Sequence, residues 1–192
     1  MALPNDTQFS FLYDFFPKVF SKDVQKAFSV IPSASSPLKH SQCYEKIYIE
    51  GEVIKIYSRV YFEEPTDVLK KLISKQQSIL FCILLCHHNG FIRIKYLKLL
   101  MLSDDSYSSY IAPFLIKLLG EYVIEILEFL DANLDHKHLE LCSKFIKENP
   151  LYWQTTRSRV MSYWNAYYRS TYPNFNDYIG SSIVRKIENI SA

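Results

Sequence analysis

Glycine is nearly missing from this chain of 192 residues, with four in all, and phosphate-cradling loops need glycines clustered at fixed spacing. Neither a P-loop nor a dinucleotide fingerprint occurs, and no G-x-S-x-G marks a hydrolase nucleophile. Long apolar runs are missing too. The longest, Ile79 to Cys86, has eight residues, against about twenty for a membrane-spanning helix. The start, MALPNDTQF, has no early Lys or Arg, unlike a secretory signal. Charge of one sign is not in excess either. A net charge of +2 provides no general drive toward nucleic acid or an anionic membrane. These absences predict a soluble, cytoplasmic protein without a cofactor.

Cysteine is sparse and unpatterned. Of four cysteines, Cys82 and Cys86 share a helical face inside an apolar stripe, as reduced, buried thiols do. With His87 and His88, and with His136, His138 and Cys142 further on, they are the candidate metal ligands. Zinc takes four converging S or N ligands, usually from close pairs on loops. No C-x-x-C or H-E-x-x-H is present, so the preferred reading is core cysteines and histidines at a helix end, with no metal.

What the chain has in abundance is aromatic and aliphatic residues: 48% hydrophobic and 16% aromatic, with fifteen Tyr and thirteen Phe. That supports a real core and rules out global disorder. Phe9 to Val30 predicts one or two short helices with Phe11, Phe15, Val19 and Phe20 on one face and Ser21 as a cap. Pro32 to Pro37, PSASSP, predicts a loop. Tyr44 to Ile49 and Val53 to Phe62 flank Glu50-Gly51 with period-two alternation and predict a β-hairpin.

After Pro65 every segment reads as helix. Thr66 or Asp67 would cap a short one to Ile73, and Ser74-Lys75-Gln76-Gln77 has the form of a capping box opening a helix to about His87. Further helices are predicted from Phe91 to about Leu102, Tyr110 to Leu119 with Pro113 in its first turn, Glu121 to Leu134, and Lys137 to Glu148. Asn149-Pro150 would cap a long helix to about Arg169. A last one, from Ser181 to Ile190, carries the stripe Ile183, Val184, Ile187, Ile190. Two stretches resemble each other, LLCHHNGFIRIKYLKLL from Leu84 and FLIKLLGEYVIEILEFL from Phe114, with Gly90 and Gly120 in register at an offset of 30. Apolar positions coincide at Ile94 with Ile124, Leu97 with Leu127 and Leu100 with Leu130, the pattern of stacked helical hairpins.

Asn89-Gly90-Phe91-Ile92-Arg93 with Leu97, echoed by Gly120-Glu121-Tyr122-Val123 with Leu127, resembles the second-helix motif of HEAT-type repeats over Ser74 to Leu134. Two features depart from that pattern: the period is shorter than the usual ~40, and Val123 stands where a second arginine would align with Arg93. The whole chain is also similar to a group of uncharacterised bacterial proteins with the same order of turns and an aromatic carboxy-terminal helix. That resemblance implies a mostly α fold: a short HEAT-like α-α solenoid with one amino-terminal β-hairpin. Residues 1–65 would pack on a repeat region of residues 66–192 as a single domain. It also implies a non-enzymatic binding scaffold, most concretely an immunity protein that neutralises a toxin by covering it.

Both tryptophans of the chain lie in NPLYWQTTRSRVMSYWNAYYRS. Trp, Tyr and Arg concentrate binding energy because they remove large area from water while keeping polar handles. Trp153, Arg157, Trp164 and Tyr168 are therefore the predicted partner-binding residues. Tyr152, Val160, Tyr163 and Tyr167 are expected to form the inward stripe. A protein partner is the first expectation. The alternatives are a metal-dependent enzyme built on the Cys and His runs, and a single-stranded nucleic-acid binder using the aromatics and arginines, which the near-neutral charge disfavours.

Overall fold

A computed structural model describes residues 6–31, 39–65 and 69–191. The PSASSP loop and the Thr66/Asp67 cap lie outside the described residues. The fold is mostly α-helical, with a small antiparallel hairpin near the amino terminus, and the chain divides into two compact units, residues 1–106 and 107–192. Among the described residues no helix is long and apolar enough to cross a membrane.

The first unit begins with α1 (Asp6–Tyr13) and α2 (Ser21–Phe28). Phe11 and Phe15 are buried as expected, beside Leu12 and Phe16, but Val19 is 77% exposed. The helix ends at Tyr13, and Pro17 leads into a short 3-10 turn, Lys18–Phe20, so the face that carries Phe11 does not continue to Val19. Ser21 is the first residue of α2 rather than its cap. Its hydroxyl donates to the Lys18 carbonyl at 2.5 Å, a bond that competes with capping.

Strands β1 (Lys39–His40), β2 (Tyr44–Ile49), β3 (Glu52–Tyr57) and β4 (Val60–Tyr61) follow. Glu50 and Gly51 have φ of 52° and 83°, both positive, as a two-residue hairpin turn that matches strand twist requires. Ile47, paired with Ile54, is buried, and Tyr48, paired with Val53, is exposed. The predicted second strand is cut short at Tyr57. Val60–Tyr61 pairs instead with Lys39–His40, and Val60 exchanges main-chain hydrogen bonds with Cys86 and His88. The expected division after residue 65 thus falls inside this unit.

Helix α3 (Ser74–Leu84) is apolar on all sides from Ile79 to Leu84 and buried throughout that run. The expected capping box of Ser74 with Gln77 does not form, because Ser74 is already the first residue of the helix and Gln77 Nε2 donates to the Leu72 carbonyl at 3.0 Å. Gln76 Oε1 accepts from the Ile73 N–H at 3.4 Å, and Ile73, which stands at the cap, has no side-chain acceptor to return. Helix α4 (Gly90–Met101) opens on Asn89, whose side chain accepts the Phe91 N–H at 2.9 Å. The buried Arg93 donates to the carbonyls of His87 and His88 at 2.7 and 3.0 Å, fixing the connection between α3 and α4.

The second unit holds α5 (Ala112–Leu119), α6 (Ile124–Asn133), α7 (His136–Glu148), α8 (Pro150–Tyr163) and α9 (Ile179–Ser191). Every residue of α5 is buried; within the unit it packs on α6, α7 and α8, and α9 packs across the same three. Pro113 and Pro150 occupy first turns as expected. Asn149 precedes α8, but its side chain turns back to donate to the Phe145 carbonyl at 3.1 Å. Helix α6 starts at Ile124, not Glu121. The Glu121 carboxylate is buried against Lys117 at 3.5 Å, its N–H bonds the Leu118 carbonyl, and the extended Val123 becomes the cap.

The repeat register is visible in burial. From Ile94 to Leu100 and from Ile124 to Leu130 the order of buried, half-buried and exposed positions is identical, with Tyr96, Leu97 and Leu100 answering to Ile126, Leu127 and Leu130. The two glycines differ, since Gly90 opens α4 whereas Gly120 follows the last residue of α5.

Candidate interaction surface

After Tyr163 the α8 backbone widens into a π turn, Trp164–Tyr168. Such turns insert a residue into the helical count and shift every later side chain around the axis. Tyr152 and Val160 face inward, as the stripe predicts, whereas Tyr163 is half-buried and Tyr167 is 61% exposed. That outward rotation corrects the expected inward stripe. It carries Tyr167 to the side where Tyr163, the last residue of α8, already lies beside Tyr122, from the turn between α5 and α6, which is 49% exposed. The three ring centroids lie 6.1, 5.9 and 6.0 Å apart, a nearly equilateral triangle in reach of solvent.

The predicted binding residues separate into two groups around this surface. Tyr168 braces it from behind: its hydroxyl donates to the Tyr122 carbonyl, and its ring stacks on buried Tyr178 at 5.5 Å. Burial raises the pKa of its phenol, so it stays a donor at neutral pH. Trp164 donates its indole N–H to the Tyr172 carbonyl at 2.8 Å and meets Phe175 edge-on, which ties the segment after the π turn to α8. Trp153 and Arg157 point instead toward α9. Trp153 is 7% exposed, and both donate to Glu188 Oε1, at 3.1 and 2.8 Å. None of Tyr122, Tyr163 and Tyr167 is among the predicted binding residues. Tyr122 sits in the quoted Gly-Glu-Tyr-Val turn, and its exposure follows from the late start of α6.

The candidate metal ligands sit in ordinary structural roles. Cys82 and Cys86 are wholly buried on or just after α3, and burial pushes the Cys82 thiol up, away from the thiolate a metal needs. His87 Nδ1 accepts the Asn89 N–H at 3.0 Å, so the proton rests on Nε2, which donates to the Phe62 carbonyl at 2.8 Å. Cys142 is buried, its pKa pushed up to about 12 by burial, and His136 is exposed beside Glu140. Among the described residues no group of three or more His, Cys, Asp and Glu side chains is placed to hold an ion.

A Tyr107-Asp135-His138 network marks the start of α7. Tyr107 donates to Asp135 Oδ2 at 2.6 Å, and the His138 main-chain N–H and Nδ1–H both donate to Oδ1, at 3.0 and 2.8 Å. Chiefly the Tyr107 bond, then the His138 N–H, holds the Asp135 carboxyl down at about 2. His138 Nε2 is buried and has no partner among the described residues, and the Asp135 carboxylate caps α7.

No family model, curated protein or solved structure matches this chain.

Proposed function

We propose that the chain is a non-enzymatic protein-binding module that grips its partner through the triangle of Tyr122, Tyr163 and Tyr167. The observation that carries this reading is the close grouping of three rings at the surface, two of them about half exposed or more. Tyrosine supplies large, rigid contact area with few rotatable bonds and a hydroxyl that tolerates either solvent or a hydrogen-bond partner. The brace from Tyr168 and the π turn hold the rings before a partner arrives, which lowers the ordering cost of association. A stable interface buries about 800 Å² on each side, more than three tyrosines present, so the triangle acts as its centre rather than its whole.

Two hairpins with matching burial registers support a short HEAT-like solenoid as the scaffold. In its most concrete form the module is a cytoplasmic immunity protein that occludes a toxin. Stacked bases would also fit exposed rings, but the net charge of +2 sets that reading second. Co-expression in a bacterial host with the product of the adjacent gene tests the proposal. Relief of growth arrest and a co-eluting complex are expected, and Tyr167→Ala is expected to weaken both. A neighbour that is neither toxic nor bound by the chain would count against the immunity role.

A further inference from the structure

Between α8 and α9 lies a solvent-open groove of about 380 Å³, within the size range of small-ligand sites. None of the three triangle tyrosines lines it. The charged side chains along its walls are Arg157, Arg185 and Glu188, two positive charges against one negative. Both guanidiniums are pre-oriented: Arg157 donates to Glu188 at 2.8 Å, and Arg185 donates to Ser181 Oγ at 2.7 Å and to the Asn176 carbonyl at 2.8 Å. Arg185 pairs with no carboxylate among the described residues. A guanidinium has five N–H donors, so each arginine keeps donors beyond those used. Phe175 and Val184 add apolar wall beside them.

We propose that this groove binds a small oxyanion-bearing amphiphile, a carboxylate or phosphate ester with a short alkyl chain. The head would accept from Arg185 and Arg157, in the charge-assisted geometry that suits guanidinium, and the chain would lie along Phe175 and Val184. A cation meets like charge there. A neutral alcohol returns one uncharged acceptor to the guanidinium donors, a weaker bond than a carboxylate or phosphate makes.

The two indole N–H groups report on opposite parts of the site, because Trp153 donates to Glu188 and the Trp164 ring contacts Phe175. Titrating the full chain with octanoate, octyl phosphate, octanol and octylammonium, followed by ¹H–¹⁵N spectra of the indoles, tests the proposal. Saturable shifts with octanoate or octyl phosphate are expected, and the tighter of the two identifies the preferred head. Lengthening the carboxylate from butanoate to octanoate should tighten binding about two- to fourfold per methylene. Arg185→Gln should weaken it at least tenfold, with Arg157→Gln as a second variant if the first does not fold. Octanol or octylammonium binding as tightly as octanoate, no saturation with either anion, or unchanged affinity in the folded variants would overturn it.

Discussion

The Tyr168 hydroxyl donates to the main-chain carbonyl of Tyr122, joining the π turn after α8 to the turn between α5 and α6. This bond makes the tyrosine triangle a fixed feature rather than three independent side chains. Tyr168→Phe keeps the ring stacked on Tyr178 and removes only the bond. The expected loss of stability is about 1 kcal/mol, read by chemical denaturation, together with weaker partner binding. Unchanged partner affinity would show that the brace does not prepare the surface.

Arg93 is buried and holds the carbonyls of His87 and His88. Arg93→Leu leaves those acceptors without that donor and is expected to destabilise the chain by about 2 kcal/mol or more. Arg93→Lys, a point charge in place of a fork, should recover part of the loss. Thermal unfolding of both variants checks the order wild type, Lys, Leu.

Gly180 packs where a side chain has no room. A Cβ there would lie 2.7 Å from Tyr178 Cε1 and 3.0 Å from Val160 Cγ1. Alanine ordinarily favours a helix over glycine by about 1 kcal/mol, so steric conflict reverses the usual sign. Gly180→Ala is expected to lose roughly 1–3 kcal/mol, whereas any gain in unfolding temperature would refute the close approach.

Burial lowers the pKa of both His87 and His138. Below about pH 6.5 the unfolded chain takes up protons that the folded chain resists. Stability therefore falls as pH drops from neutral toward the lowered folded values, and His138→Gln or His87→Gln should each flatten that slope. Asp135, held at about 2, adds a second loss between about pH 4 and pH 2, because its folded-state advantage disappears as it protonates. Unfolding midpoints measured from pH 7 to pH 2 would show both intervals, and Asp135→Asn should reduce the lower one, leaving the share of Glu64, whose carboxyl Lys95 also holds down.

Much of the architecture was legible where a local rule and a tertiary demand agree. Glu50-Gly51 specifies its turn through backbone conformation alone, and Pro113 and Pro150 sit where a missing N–H costs little. Failures came where a partner outside the element's own pattern decided the outcome. Glu121 looks like a helix-opening acid, yet pairing with buried Lys117 delays α6 to Ile124. Val60 alternates correctly as part of a strand, yet it leaves β3's partner for β1 and the end of α3. The π turn has no pattern in residue types. For that reason the sequence pattern points Tyr167 inward, and the predicted quartet divides, Trp153 and Arg157 meeting at Glu188 while Trp164 and Tyr168 hold the turn.

The central claim is that three tyrosines, grouped where the widened turn after α8 meets the turn between α5 and α6, form the heart of a protein interface. Its most direct test is the dissociation constant for the product of the adjacent gene, measured for the wild type and for Tyr122→Ala/Tyr167→Ala, with circular dichroism confirming an unchanged fold. Loss of two exposed anchors at a hot spot predicts at least a hundredfold weaker complex. Equal affinity in the folded double variant would contradict the account.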